Sequence, residues 1–356
     1  MNFENQIIKV FQNTTNSYKY YWWYSILKLV KSKKCKKIQL DDVAFQMIIL
    51  SWYPVNYFKI SLGKQDQLAN YIRELKNQFN ELTEDIKEVD LELFLIQNKN
   101  HPTIKEIIQN LIKYVPYRFI RPWFEETIGM KDAIVNFEIL KLQEYKNAPY
   151  RIYGNTSIDI NEEWYNWICS NILLVESFTF YELFKYIEKN NPYVTNISIK
   201  LFKPQTRKLS TPTKLWKEFI LNSSSGKMSV FENKPLISMN NMAIDHYLPW
   251  SLVTHDKLWN LHPIEQDVNS SKSNKIADSK YVKPYTNLQF NFVSFLTLNN
   301  SKYLEDYFTL FSISKNELLQ LPFEKFTEIL SNKIQIETDS AVNLGYYTKW
   351  INPIQY

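Results

Sequence analysis

Apolar positions recur at spacings of three and four along the first 220 or so residues. Tyr20, Trp23, Tyr24, Leu27 and Val30 make one such stretch, and Val43, Met47, Ile48 and Trp52 make another behind the Asp41-Asp42 start. Further one-faced runs lie at 64–78, with Leu68, Tyr71, Ile72 and Leu75, and at 102–113 and 162–174. This period belongs to amphipathic helices, and Pro102 stands where helix-opening prolines stand. The pattern predicts a helical domain over residues 1–222. Turns are expected at Tyr53-Pro54, Val115-Pro116, Arg121-Pro122 and Asn191-Pro192, because a residue before proline is driven out of the helical region. The polar tract NSSSG at 222–226 marks a domain boundary.

The pattern then changes. Residues 227–244 hold two short apolar runs, MSVF and MAI, on either side of a polar stretch, which suits two small strands joined by a loop. Residues 264–277 read as a short polar helix. Helical periodicity returns beyond 285, at 304–311 and 317–330. The expected fold is therefore mainly α, with a small two-strand-plus-helix unit at 223–285 embedded between helical N-terminal (1–222) and C-terminal (286–356) parts.

Composition narrows the function. Hydrophobic residues are 45% and charged residues 22% of the 356, ordinary for a globular chain, so wholesale disorder is not expected. Glycine is scarce, at 5 residues, and neither G-x-x-x-x-G-K-[ST] nor G-x-G-x-x-G occurs, so no phosphate-cradling glycine loop is available. Any nucleotide-driven motor would be another chain. The two cysteines, Cys35 and Cys169, lie too far apart for a disulfide framework or a Cys-x-x-Cys zinc knuckle. The start of the chain lacks a signal-peptide pattern, and no run of 18 apolar residues occurs, which predicts a cytoplasmic protein without membrane attachment. A net charge of +5 is compatible with a polyanionic partner without requiring one.

Candidate chemistry is concentrated. Three of the four histidines, His246, His255 and His262, fall within AIDHYLPWSLVTHDKLWNLHPIEQDVNSSKSNK. Asp245 and His246 are adjacent, Pro249 completes DH-x-x-P, Asn260 follows the histidine by fourteen residues, Asn269 comes nine later and Lys272 three beyond that. This order and spacing resembles the HNH nuclease family, in particular the HNH domain of RNA-guided CRISPR nucleases and restriction-like endonucleases, over some thirty residues.

The resemblance implies a ββα-metal fold, with Asp245 and His246 at the end of its second strand and Asn269 on the facing helix. It implies Asp245 and Asn269 as metal ligands, His246 as general base and Asn260 as the residue that steadies the loop and the base. Lys272 is expected to contact the phosphate, and His262 takes no role. Phosphodiester hydrolysis needs a deprotonated water and a cation to offset charge on the phosphate, and hard oxygen ligands point to Mg²⁺ or Mn²⁺. Many relatives carry two Cys pairs around the motif for a structural zinc. This chain has none there, so packing must hold the unit.

Other features stay open. The lysines 28, 31, 33, 34, 36 and 37 suit either DNA phosphates or a solvated face. Lys203, Arg207, Lys208, Lys214 and Lys217 form a second basic group, of which Arg207, Lys214 and Lys217 are candidate DNA contacts along with Lys272. The aromatic cluster at 18–24 has helical spacing and reads as core, whereas YVPYRFIRPWF, with Arg118 and Arg121 between aromatics, reads as loop-like and suits either contact with protein or nucleic acid or packing of the loop onto helices. The leading expectation is an HNH endonuclease cutting DNA in restriction or anti-phage defence, with a dimer or two successive events needed for a double-strand break. The alternative is a nuclease subunit inactive without an ATPase partner, and a third class is a non-catalytic DNA-binding protein.

Overall fold

The computed structural model describes residues 3–12, 14–204, 207, 209–224, 226–299 and 301–353. Helices hold 64% of the chain. It forms two compact units, Met1–Pro204 and Gln205–Tyr356. The division falls before helix Ser210–Asn222, which was expected on the N-terminal side of a boundary near 222. This helix buries Leu215, Trp216, Phe219 and Ile220 in the core of the second unit, and that burial assigns it there.

The first unit is helical: α1 (Phe3–Phe11), α2 (Tyr18–Lys33), α3 (Leu40–Trp52), α4 (Gln67–Gln78), α5 (Glu88–Gln97), α6 (Pro102–Ile120), α7 (Asp132–Leu142), α8 (Glu162–Ser170), α9 (Ile172–Asn190) and α10 (Ile197–Lys200). Its centre is α2, whose residues from Tyr20 to Leu27 are all buried, as expected of a helix surrounded by α3, α6 and α9. The aromatic cluster is thus core. A three-stranded antiparallel sheet that the helical pattern concealed joins β1 (Lys37–Gln39), β2 (Tyr150–Tyr153) and β3 (Ser157–Ile160) in the order β1-β3-β2, with Ile38 and Ile152 both opposite Ile158.

Two expected turns are absent. Pro116 lies inside α6, so Val115-Pro116 does not end the helix, and Tyr53-Pro54 opens a helical turn directly after α3. Much of YVPYRFIRPWF is therefore helix rather than loop. Buried neighbours hold both sites against proline's local preference: Val115, Pro116 and Tyr117 are buried, and Tyr150 donates a hydrogen bond to the Pro116 carbonyl at 2.7 Å. Much of the basic run is committed to carboxylates: Lys28 and Lys31 to Glu176, Lys33 to Asp42 and Lys36 to Glu162.

The second unit comprises α11 (Ser210–Asn222), β4 (Met242–His246), α12 (Trp250–Val253), β5 (Leu261–Glu265), α13 (Gln266–Lys272), α14 (Val282–Asn299), α15 (Glu305–Phe311), α16 (Lys315–Leu319) and α17 (Phe323–Asn343). The strand pairing differs from expectation. Antiparallel β4 and β5 form the two-stranded sheet, with Ala243 opposite Ile264 and Asp245 opposite His262, whereas the MSVF segment makes only an isolated bridge from Met228 to Pro235. Asp245 and His246 consequently end the first strand of the pair, not the second. Pro263 fits because a two-stranded sheet leaves each strand an unpaired edge.

The ββα unit shares one core with the C-terminal helices rather than closing a domain at 285. Trp216 on α11 stacks on Phe292 of α14 with ring centroids 3.7 Å apart, and Tyr247, Tyr285, Leu288 and Trp350 belong to the same buried cluster. The backbone near the C-terminus docks on the unit as well: Ile276 donates to the Tyr347 carbonyl at 2.8 Å, and Trp350 donates to the Ile276 carbonyl at 3.1 Å. A segment this small cannot bury enough surface alone, and without zinc the helices supply the missing core. Phe292→Ala is expected to destabilise the second unit by about 3 to 5 kcal/mol, measured by urea denaturation.

Candidate functional site

The site is built where β4 ends. Its loop is closed by Asn260, fully buried, whose amide oxygen accepts from the Leu248 N–H and whose amide nitrogen donates to the Leu248 carbonyl, both at 2.9 Å. The Tyr247 N–H also donates to the Asn260 carbonyl at 2.8 Å. One side chain thereby satisfies backbone groups that the ladder leaves behind where the strand stops.

From below, α14 supports the same loop. Tyr285 donates to the Trp259 carbonyl at 2.5 Å and stacks on Tyr247 at 3.9 Å, and Gln289 donates to the Leu261 carbonyl at 2.7 Å while accepting from Tyr307 at 2.6 Å.

His246 is almost fully buried. Arg207 Nη1 stands 3.3 Å from its Nδ1, and Asp256 Oδ1 stands 2.9 Å from its Nε2. A guanidinium can only donate, so Nδ1 accepts and Nε2–H donates to the carboxylate, which assigns the Nε2–H tautomer from the network. The hydrogen bond from His246 is also the main reason the Asp256 carboxyl lies below its usual range. Asp256 was not among the residues singled out in the sequence. The only available signal was its place in the short loop that follows the motif histidine.

Asp245 and Lys272 form a buried pair. Lys272, 0% exposed, places Nζ 3.1 Å from Asp245 Oδ2 and 2.7 Å from the His246 carbonyl. Burial alone would raise the Asp245 carboxyl, but Lys272, with help from the His246 N–H, outweighs it and holds the group below its ordinary value. The expected phosphate contact of Lys272 is therefore not presented to solvent; its ammonium is turned inward. Asn269, half-buried, lies three residues before Lys272 on α13, and residues at that spacing share a helix face, so Asn269 is carried on the side that meets β4.

His262, to which no role was given, is fully buried opposite Asp245. Its Nδ1 lies 3.0 Å from the Pro263 carbonyl, its Nε2 has no hydrogen-bond partner, and Phe231 and Tyr285 meet its ring edge-on. Burial pushes its pKa down to about 3. His255 packs against Trp259, and burial with the nearby His246 lowers it to about 4.

The candidate DNA-contact residues are dispersed. Lys214 and Lys217 lie on the exposed side of α11, Lys214 at 4.0 Å from Glu218, whereas Arg207 points to His246. Lys203 is exposed in the first unit, and Lys208 lies outside the described residues.

With this geometry in place, residues 230–277 match the model of the HNH endonuclease family. The chain carries an HNH endonuclease domain. No curated protein and no solved structure matches the chain. The HNH domain supports a nuclease, a hydrolase acting on nucleic acid. Among the described residues, no helix is long and apolar enough to cross a membrane.

The donors of the HNH domain suit a hard divalent cation. Among the described residues no cluster of three or more His, Cys, Asp or Glu side chains forms a closed cage. Asp245, a carboxylate held below its ordinary pKa, and Asn269, an amide, are hard oxygen donors of the type that a hard divalent cation takes. No cysteine lies in the second unit to offer a soft ligand; Cys35 and Cys169 are both free and both in the first.

His262 gives the domain a pH signature. Its folded pKa of about 3 lies below the ordinary 6.5, so the folded state binds fewer protons than the unfolded chain. Its contribution is complete above pH 6.5 and declines as pH falls, by about 1.4 kcal/mol per unit. His262→Phe, which keeps the aromatic packing, is expected to flatten the melting profile between about pH 6.5 and 4 relative to wild type.

Proposed function

We propose that the chain is a metal-dependent endonuclease that hydrolyses DNA phosphodiester bonds at the end of β4. The observation that carries this reading is the convergence on one strand end of Asp245, kept ionised by Lys272, and His246, oriented from both ring nitrogens, beside the helix that bears Asn269.

In this mechanism His246 is the general base. Asp256 fixes Nε2–H, which leaves the Nδ1 lone pair as the proton acceptor, and the Arg207 contact gives way there to the attacking water. The water proton passes to Nδ1, a new bond forms between the water oxygen and phosphorus, and the bond from phosphorus to the leaving sugar oxygen breaks, that oxygen keeping the electron pair and taking a proton from solvent. Released from the imidazole, the Arg207 guanidinium pairs with the phosphate. Asp245 and Asn269 would hold Mg²⁺ or Mn²⁺, which when bound would offset the charge that builds on the phosphate. Lys272 acts by fixing Asp245 and the His246 backbone. Asn260 keeps the loop, and so the base, in place. Lys214 and Lys217 add sequence-independent attraction to the DNA backbone. The resemblance of the unit supports restriction or anti-phage defence in the cytoplasm as its setting.

A second reading, a nuclease subunit that works with an ATPase or a second copy of the chain, is favoured by one observation. Ile134, Phe137 and Leu140 are exposed along α7, an apolar face of the kind that protein partners cover.

Supercoiled plasmid incubated with the purified protein and Mg²⁺ separates the two. The first reading expects nicking that EDTA abolishes and that His246→Ala lowers by about 10²- to 10⁴-fold; an intact plasmid would favour the second. Asp256→Ala is expected to lower kcat by about 10- to 100-fold with little change in KM. Asp256→Asn, which keeps an acceptor for Nε2–H, is expected to retain more activity than the alanine variant, and equal loss in both would remove Asp256 from its positioning role.

A further inference from the structure

The helical unit holds a cationic cavity that the nuclease reading leaves unused. About 610 Å³ in volume, it is bordered by α2, α4 and α6, and its lining includes Tyr18, Lys19, Tyr71, Lys113, Arg118 and Arg121. No Asp or Glu lines it. Arg118 and Arg121 are the two arginines between aromatics that the sequence offered as a contact segment. Because α6 continues through Pro116, they sit at the end of a rigid helix instead of on a loop.

The charges of this cavity are poorly compensated. Arg118 and Arg121 share a single carboxylate, Asp132, the latter at 3.6 Å, and Arg121 is further fixed by the Thr127 and Met130 carbonyls at 2.9 and 3.2 Å. Among the described residues, the hydrogen-bond partner of Lys19 is the Val10 carbonyl, at 3.4 Å. Burial, then Arg118 and Arg121, depress its pKa. A half-buried lysine facing two arginines costs stability in the free protein, and an anion in the cavity removes that cost.

The shape selects the anion. A cavity of this volume falls in the range of small-molecule sites, whereas duplex DNA is a convex rod that cannot enter it. Planar guanidinium forks match phosphate oxygens, and a lining that holds both tyrosines, Tyr18, Tyr71 and Tyr114, and carboxamides, Gln67 and Asn110, suits a base. We propose that this cavity binds a nucleotide, with Lys19, Arg118 and Arg121 on its phosphates and the tyrosines against its base. Such a site relies on side-chain cations set on helices, which is consistent with a chain of 5 glycines that has no phosphate-cradling loop.

The test is calorimetric titration of the full chain with ATP, AMP and inorganic pyrophosphate in EDTA, where the HNH metal site is silent, with melting temperatures read in parallel. The wild type and His246→Ala are expected to bind ATP alike, with pyrophosphate weaker. Lys19→Met is expected to lose at least about tenfold in ATP affinity while its own melting temperature stays level or rises, the opposite of what loss of a structural lysine produces. Absence of ATP and AMP binding to folded wild type at millimolar concentration would overturn the proposal. So would unchanged ATP affinity in Lys19→Met, pyrophosphate binding as tightly as ATP, or a plasmid-binding defect in Lys19→Met without any nucleotide effect.

Discussion

The second unit depends on the contact between α14 and the loop that joins β4 to β5. Tyr285 and Gln289 reach from that helix to the Trp259 and Leu261 carbonyls, and the Tyr285 ring lies on Tyr247, the residue next to His246. Two five-residue strands and a seven-residue helix expose most of whatever they bury, so they need an external partner. Where HNH relatives with cysteine pairs use zinc, this chain uses aromatic helices and a C-terminal segment that pairs with residues 276–278. The large share of aromatic residues follows, since Tyr and Trp contribute area together with a polar tip that can reach a backbone group.

That support accounts for how charge is tolerated at the strand end. Lys272 is wholly buried, and a buried cation persists only with close partners, here Asp245 and the His246 carbonyl. The pair joins α13, the helix that bears Asn269, to the end of β4, so an electrostatic contact that adds little to net stability fixes how that helix meets the strand. His246 is treated likewise. Its two ring nitrogens are assigned by neighbours of opposite charge, Arg207 and Asp256, before any substrate is present.

The helical unit follows the opposite logic in its cavity. On α2 itself Lys28 and Lys31 are balanced by Glu176, whereas the cavity around Lys19 is lined by Lys113, Arg118 and Arg121 with no Asp or Glu in the lining. Within the same unit one basic stretch is neutralised and the cavity lining is left cationic, which is the contrast the nucleotide proposal rests on.

Much of the site was legible from the chain itself because its chemistry is local in sequence. Asp245, His246, Asn260, Asn269 and Lys272 fall within twenty-eight residues at characteristic spacings, and the helical period of α2 announced a core helix. The hairpin YRIYGNTSIDI, β2 and β3, also carried its signal, strand-like runs on either side of Gly-Asn, but the helices around it obscured that alternation. What the sequence could not disclose were relations between distant residues. The choice of β5 over the MSVF segment as the partner of β4, the inward turn of Lys272, the approach of Asp256 and Arg207 to His246 and the merging of the C-terminal helices with the HNH unit all depend on which surfaces are buried against which. By itself the sequence determined the HNH signature and the helices, since these rest on residue type and short-range period. Only the tertiary structure decided the pairing, the burial and the tautomer, since each is settled by competition among groups far apart in the chain.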